Sequence, residues 1–241
     1  MPQMYGELAK YYDLIYYWKN YKEENEKIKE IIRKYKKTKG NSLLEVACGT
    51  GRHLEYLKKE FECTGLDLNE EMLKLARKRN PEIKFVRADM MKFRLDKKFD
   101  VITCLFSSIG YVRTYKNLEK TLKNFSNHLK VGGVVIIEPW LSKSTYTKYS
   151  PHLTVYQDKD IKIARASISD AKDNISIMKM HYLIAERRKQ VKHFVSIEKL
   201  GMFEISKTLQ LMKKAGLDAK FLKKNSLDME RGIFVGVKKS E

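Results

Sequence analysis

The chain has 241 residues, 43% apolar and 33% charged, with a formal net charge of +19. This length can bury a sizeable core, and the sequence holds no run of about 18 apolar residues to cross a membrane as a helix. Cys48, Cys63 and Cys104, the three cysteines, have no paired spacing and predict neither a disulfide framework nor a zinc site.

Excess positive charge raises nucleic acid as a partner, since basic surfaces bind phosphate. The excess is spread along the chain, however. Lys and Glu interleave in YKEENEKIKEIIRKYKK (21–37), the pattern of a solvated helix face. The opening lacks a basic segment followed by an apolar run, so a cytoplasmic protein is expected.

Ile28, Ile31, Ile32 and Tyr35 recur at helical spacing and predict a helix over 22–37. The apolar run Leu43 to Ala47 predicts a strand that ends in Cys48-Gly49-Thr50-Gly51, and a helix with Leu54 and Leu57 inside follows. Cys63 to Leu68 reads as the second strand. Asn69 is a natural N-cap, with Glu70 and Glu71 in the first turn and Asn80-Pro81 as the stop. Ile83 to Arg87 and Phe99 to Leu105 read as the third and fourth strands. Leu118, Leu122, Phe125 and Leu129 mark a helix expected to close at Gly132-Gly133, before a fifth strand over Val134 to Glu138. Alternating strands and helices predict a doubly wound α/β fold with a mostly parallel sheet and right-handed crossovers.

After Pro139 the rhythm changes. Residues 152–199 alternate over longer stretches, with turns at Gln157 to Asp160 and Asp170 to Asn174, and predict an inserted antiparallel meander. Glu204 to Ala215 returns to helix. Leu217 to Leu222 and Gly232 to Val237 complete seven strands. The expected organisation is one α/β domain from 1–140 and 201–241, with an N-terminal helical cover. The insert, 141–200, would be a substrate roof or a dimer contact, in a monomer or homodimer.

In an open parallel sheet, ligands bind at the strands' carboxyl ends where strand order reverses. That edge carries EVACGTG (45–51), and Asp67 ends the second strand, where a carboxylate can accept from two ribose hydroxyls. A dinucleotide loop wants glycine at 47, 49 and 52, but this chain has Ala47, Gly49 and Arg52. A phosphate-binding Gly-Lys-Ser/Thr ending is also missing.

With the loop in register stand Asp67, Ala88-Asp89-Met90 and an apolar fourth strand. In this combination the sequence resembles the class I S-adenosylmethionine-dependent methyltransferases. LLEVACGTG, GLDLNEEML, RADMMKF and FDVITCLFSSIGY look like their first four motifs, and KVGGVVIIEPW matches the approach to strand five. The resemblance implies a Rossmann-like fold that binds S-adenosyl-L-methionine and releases S-adenosyl-L-homocysteine. Ala47, Cys48, Gly49 and Gly51 would pass beneath the methionine part, with Glu45 anchoring its amino group. Asp67 would take the ribose hydroxyls, Leu68 and Met72 would lie along the adenine, and Asp89 with the Met90 backbone would meet its amino group. Leu105 would lie near the cofactor.

Within that superfamily the chain is similar to the N,N-dimethyltransferases of nucleotide-linked deoxyaminosugars. The shared pieces are Tyr5-Gly6-Glu7 with Tyr12-Asp13-Leu14, FSSIG (106–110), IEPW (137–140) and RGIFVG (231–236). The likeness implies Tyr5 and Tyr111 near the accepting amine, Trp140 and Arg231 near the sugar-nucleotide, and Tyr21 near the cofactor. Tyr111 stands where some members carry histidine. The sulfonium already activates the methyl carbon, so attack by a neutral amine needs orientation and exclusion of water more than a strong base. A small-molecule amine acceptor is the expectation.

Two other functions stand beside it. Base-amino methyltransferases of RNA or DNA usually carry Asp/Asn-Pro-Pro-Tyr/Phe at strand four, where this chain reads CLFS (104–107). A non-catalytic cofactor-binding scaffold is the other, since fold alone does not establish activity. No carboxylate, histidine or cysteine cluster has ligand spacing, so no metal is expected.

Overall fold

The computed structural model describes residues 5–223 and 231–240. A 3-10 turn (Ala9–Tyr11) and a short helix α1 (Tyr12–Ile15) lead into α2 (Tyr21–Tyr35). Asn20 caps α2 by accepting from the Glu23 amide, and Ile28 and Ile32 form its buried stripe. The first half of the α/β unit then runs β1 (Ser42–Val46), α3 (Leu54–Leu57), β2 (Glu62–Asp67), α4 (Glu70–Arg79) and β3 (Lys84–Arg87). Asn69 caps α4 through the Met72 amide. Next come β4 (Phe99–Cys104), α5 (Tyr115–His128) and β5 (Leu129–Ile137).

The insert contributes β6 (Pro151–Gln157), β7 (Ile161–Lys172), β8 (Ile175–Glu186) and β9 (Lys192–Gly201). Helix α6 (Ile205–Lys214) and strands β10 (Leu217–Leu222) and β11 (Ile233–Lys238) close the chain. The large sheet has the order β10-β11-β5-β4-β1-β2-β3, and the insert forms a separate sheet, β6-β7-β8-β9. Within the large sheet only β11 runs against its neighbours. Strand order reverses between β1 and β4, so the crevice for a ligand opens at their carboxyl ends.

Consecutive strand residues supply opposite faces. Leu43 packs with Ile28, Ile32 and Leu54 on one side. Leu44 packs with Leu122, Phe125 and Met212 on the other. The insert's inner face, with Ile163, Met180, Tyr182 and Ile184, closes a third core over Leu8, Tyr11 and Ile15. The N-terminal segment is thereby packed against the inserted sheet.

Two boundaries differ from the sequence reading. Helix α5 ends at His128, four residues before Gly132, and β5 starts at once. His128 itself is the stop. Its Nε2 accepts from the Leu95 amide at 3.1 Å, which leaves the proton on Nδ1 to donate to the Asn124 carbonyl at 2.9 Å. The glycines serve the bend inside β5: Gly132 has φ +78°, and a Cβ on Gly133 would sit 3.0 Å from the Asp100 carbonyl oxygen. The β7–β8 turn is also tighter than expected, only Asp173 and Asn174, with Asp173 at φ 54°.

Candidate active site

The loop after β1 bends through left-handed backbone at Ala47, Gly49 and Gly51, with φ of 58°, 53° and 74°. The two glycines answer different demands. A Cβ on Gly51 would lie 2.9 Å from Asn80 Nδ2 and 3.2 Å from Ala76 Cβ, so the loop packs onto α4 there. A Cβ on Gly49 would meet nothing within 4 Å, so the backbone there faces open space. Asp67 sits beside that space. Its Oδ2 accepts from the Gly49 amide and its Oδ1 from the Asn69 amide, both at 2.8 Å. Burial raises its pKa, against the pull of those backbone donors.

Glu45 lies on β1 behind the loop, 2% exposed, with Oε2 lacking a hydrogen-bond partner. Burial, then the charge of Asp67, pushes its carboxyl well above the usual carboxylate range. A buried unpaired carboxylate oxygen is costly, and a cationic ligand group satisfies it. Open backbone at Gly49, the carboxylate of Asp67 and the orphaned Glu45 oxygen fit an amino-bearing nucleoside.

Leu68 follows Asp67 and is half exposed, an apolar surface at the crevice. Met72 and Leu105 are buried core residues. Asp89 Oδ1 accepts from the Met91 amide, and the Met90 carbonyl accepts from Asn124 Nδ2. Cys48 is buried at the loop, where burial followed by the Asp67 charge raises its thiol pKa.

The N-terminal cover is fastened to the loop. Asp13 accepts from Thr50 Oγ1 at 2.8 Å and pairs with Arg79, which also donates to the Thr50 carbonyl. Lys19 is buried, ion-paired with Glu24, and lies 4.4 Å from the Phe106 ring centroid and 5.3 Å from that of Tyr21. Arg52 also stacks over Tyr21, at 5.1 Å from the ring centroid. His53 packs edge-on to Tyr21 and bonds Asn25 Nδ2. Tyr12, Tyr16 and Phe106 continue the aromatic wall.

Beyond β4, Phe106 and Ser107 both adopt left-handed backbone, φ 50° and 61°, which no glycine relieves. The turn is braced from β5: the Phe106 amide donates to Glu138 Oε2 at 2.6 Å and Ser107 Oγ donates to the Pro139 carbonyl. Arg231 donates to Ser107 Oγ at 3.0 Å and stacks over Trp140 at 4.8 Å. Trp140 Nε1 donates to Ser176 Oγ on β8. Trp140 and Arg231, 91 positions apart in the chain, thus share one wall.

Tyr111, in the 3-10 turn Ser108–Val112, hydrogen-bonds the Tyr5 hydroxyl and donates to Glu198 Oε2 at 2.8 Å. Burial first, and the charge of Glu198 as well, raise the pKa of both tyrosines. Sequence reasoning gave roles to both tyrosines but none to Glu198, Lys19, Asp13 or Glu138. Among the described residues no cluster of three or more His, Cys, Asp or Glu is arranged to hold a metal. None of their helices is long and apolar enough to cross a membrane.

The sheet order, the bent small-residue loop after β1 and the carboxylate ending β2 define the Rossmann-like methyltransferase class. Residues 43–133 match the family described as methyltransferase domain. A dTDP-3-amino-3,4,6-trideoxy-alpha-D-glucopyranose N,N-dimethyltransferase of Streptomyces venezuelae is 37% identical over 95% of this chain and 97% of its own. The crystal structure of Streptomyces venezuelae DesVI superposes with a TM-score of 0.90 at 36% identity, covering 96% of this chain and 98% of that one. SAM-bound CalS10, an amino pentose methyltransferase from Micromonospora echinaspora, gives 0.83 at 27% identity, with 92% of each chain covered. The chain belongs to the class I S-adenosylmethionine-dependent methyltransferases, in the family that includes the dTDP-aminosugar N,N-dimethyltransferases. Its methyl donor is S-adenosyl-L-methionine.

Proposed function

We propose that the chain methylates the amine nitrogen of a nucleotide-linked aminosugar, twice in succession. The observation that carries this reading is end-to-end similarity, at 37% identity, to a dTDP-aminosugar N,N-dimethyltransferase. When bound, S-adenosylmethionine supplies an electrophilic methyl group. Asp67 grips its ribose, Glu45 its amino group, and the loop from Ala47 through Cys48 and Gly49 to Gly51 lies beneath its methionine part. Leu68, Met72, Asp89 and Met90 border the adenine side, Leu105 lies near the cofactor, and Tyr21 covers it. Arg231 meets the diphosphate with its planar fork, and Trp140 packs on the sugar-nucleotide. Tyr5 and Tyr111 receive the amine.

The insert serves as roof and as contact between copies. Its inner face carries Met180, Tyr182 and Glu198. Its outer face leaves Leu153, Ile168, Leu183 and Ile197 about half or more exposed, an apolar surface suited to a second copy in a homodimer. The three cysteines are free, which suits the cytoplasm.

The test is mass spectrometry of a panel of dTDP-linked aminosugars incubated with the protein and S-adenosylmethionine. A gain of two methyl groups on at least one sugar amine is expected. Methylation confined to RNA, or to a sugar hydroxyl, would overturn the reading.

A further inference from the structure

The inner face of β9 breaks the usual pattern of a half-buried strand. Ser196 and Glu198 point inward, at 1% and 4% exposure, while the apolar Ile197 between them is 49% exposed. A buried carboxylate costs stability unless it is held by hydrogen bonds or serves chemistry. Glu198 Oε1 accepts from Ser196 Oγ at 3.3 Å and Oε2 from the Tyr111 hydroxyl at 2.8 Å.

The direction of these bonds matters. A phenol has one proton, and Tyr111 gives its proton to Glu198. Tyr5 must therefore donate to the Tyr111 oxygen, and the lone pairs of Tyr5 are left for an incoming amine. All donors in the line point toward Glu198.

We infer that Glu198 is the proton acceptor for the amine substrate, reached through Tyr111 and Tyr5 as a relay. The inference rests on the aminosugar reading above. An amine among ring oxygens titrates near the α-amino value of about 8, so it arrives mostly as an ammonium ion without a lone pair. One ammonium proton passes to the Tyr5 oxygen as Tyr5 passes its own to Tyr111 and Tyr111 passes its own to Glu198 Oε2. The freed lone pair forms the N–C bond as the C–S bond of the sulfonium breaks. Glu198 returns the proton to water when product leaves, and each of the two transfers repeats the cycle. Glu198 thus acts through the tyrosines as a positioning and proton-holding residue, and the groups that touch the amine remain Tyr5 and Tyr111.

The surroundings suit this role. Burial raises the Glu198 pKa, while the hydrogen bonds from Tyr111 and Ser196 and the more distant charge of Arg113 restrain the rise. Tyr16 from the N-terminal cover and Tyr182 from β8 also feel its charge, and Arg165 from β7 stacks on Tyr16 at 5.2 Å.

The experiment is the pH profile of kcat/KM for wild type, Glu198→Gln and Tyr111→Phe with a dTDP-aminosugar acceptor. S-adenosylhomocysteine affinity reports folding, and calorimetry in buffers of different ionisation enthalpy counts protons released as acceptor binds the S-adenosylhomocysteine complex. Wild type should give a bell, with near-zero proton release at pH 7. Both variants should show an activity that rises tenfold per pH unit to about pH 8. Their activity should lie about 100-fold below its own plateau at pH 6 and about tenfold below it at pH 7, with about one proton released per acceptor. If Glu198→Gln does not fold, Tyr111→Phe, which keeps its ring, decides alone. A uniform loss with a wild-type-shaped profile, or no loss, overturns the relay while leaving the aminosugar reading intact. Failure of wild type to methylate any sugar amine overturns both.

Discussion

Asp67→Ala should abolish the protein's preference for a cofactor with an intact ribose. Two of the carboxylate's roughly four lone-pair sites are spent on the Gly49 and Asn69 amides, each at 2.8 Å. On the proposed reading the remaining capacity takes the ribose diol. A hydrogen bond to a charged group contributes about 1.5–3 kcal/mol, so deleting one ribose hydroxyl from S-adenosylhomocysteine should weaken wild-type binding by about one to two orders of magnitude. Loss of affinity in Asp67→Ala is insufficient by itself, because the variant also strands two loop amides. A double-mutant cycle separates the effects: both proteins are titrated calorimetrically with S-adenosylhomocysteine and its 2′-deoxy analogue. The expected outcome is a coupling of about 1.5 kcal/mol or more, with the variant binding both ligands equally weakly. Equal discrimination by the two proteins would refute the ribose role and leave Asp67 as a brace for the loop.

Glu45→Gln should stabilise the ligand-free protein and weaken S-adenosylhomocysteine binding. A carboxyl whose folded pKa is raised, here by burial and then by Asp67, contributes stability that is full below the unfolded value of about 4.3 and lost as pH rises through the folded value. The variant's melting temperature should therefore pull ahead of wild type with rising pH, and a constant gap would refute the argument. Arg231→Ala should raise the KM for a diphosphate-linked sugar at least tenfold with a smaller change in kcat, read by initial rates; an unchanged KM removes Arg231 from the diphosphate. Leu183→Lys, on the exposed outer face of β8, should convert a dimer to a monomer in light scattering, and a wild type that is already monomeric sinks that interface. Finally, log KM plotted against log salt should have a slope of about two or less for a diphosphate ligand. A slope of six or more, as for a chain of phosphates, would return nucleic acid as the substrate.

Most of the α/β half was legible because its signals are local. The apolar run of β1, the Asn69 cap and the Asn80 stop each carry their own geometry. The end of α5 was not, because His128 stops the helix through a contact with Leu95, 33 positions away, while the more conspicuous glycines serve β5. The loop and Asp67 were readable as a pair, since parallel neighbours β1 and β2 end at the same edge. Glu198 was hidden for a physical reason. Alternation assigns apolar residues inward, and on β9 the assignment is inverted: Ile197 faces out and Glu198 in. Its role requires the third dimension, where a turn after β4 brings Tyr111 to it. Asp13 was visible only as part of a shared motif, because the partners that fix it, Thr50 and Arg79, lie far along the chain.

The same inversion bears on what the net charge of +19 means. Exposed ion pairs such as Arg33–Glu60, Lys74–Glu71 and Arg77–Glu70 neutralise part of the basic surface and contribute little to stability, so the +19 is the basic excess spread outside such pairs. The line that ends in Glu198 instead runs beneath an inserted sheet, behind a cover fastened at Asp13. A nucleic-acid strand would have to present its reacting atom under that sheet, at the Tyr5 hydroxyl, while its backbone stayed outside. A compact sugar carrying a single amine and one charged diphosphate needs only the wall of Trp140 and Arg231 to enter the same space. The insert thus bears on acceptor size through its cover and on proton transfer through Glu198, a buried carboxylate on a mostly apolar inner face. On the proposed reading the inserted sheet favours a small amine over a polymer, and the buried carboxylate of Glu198 would take that amine's proton.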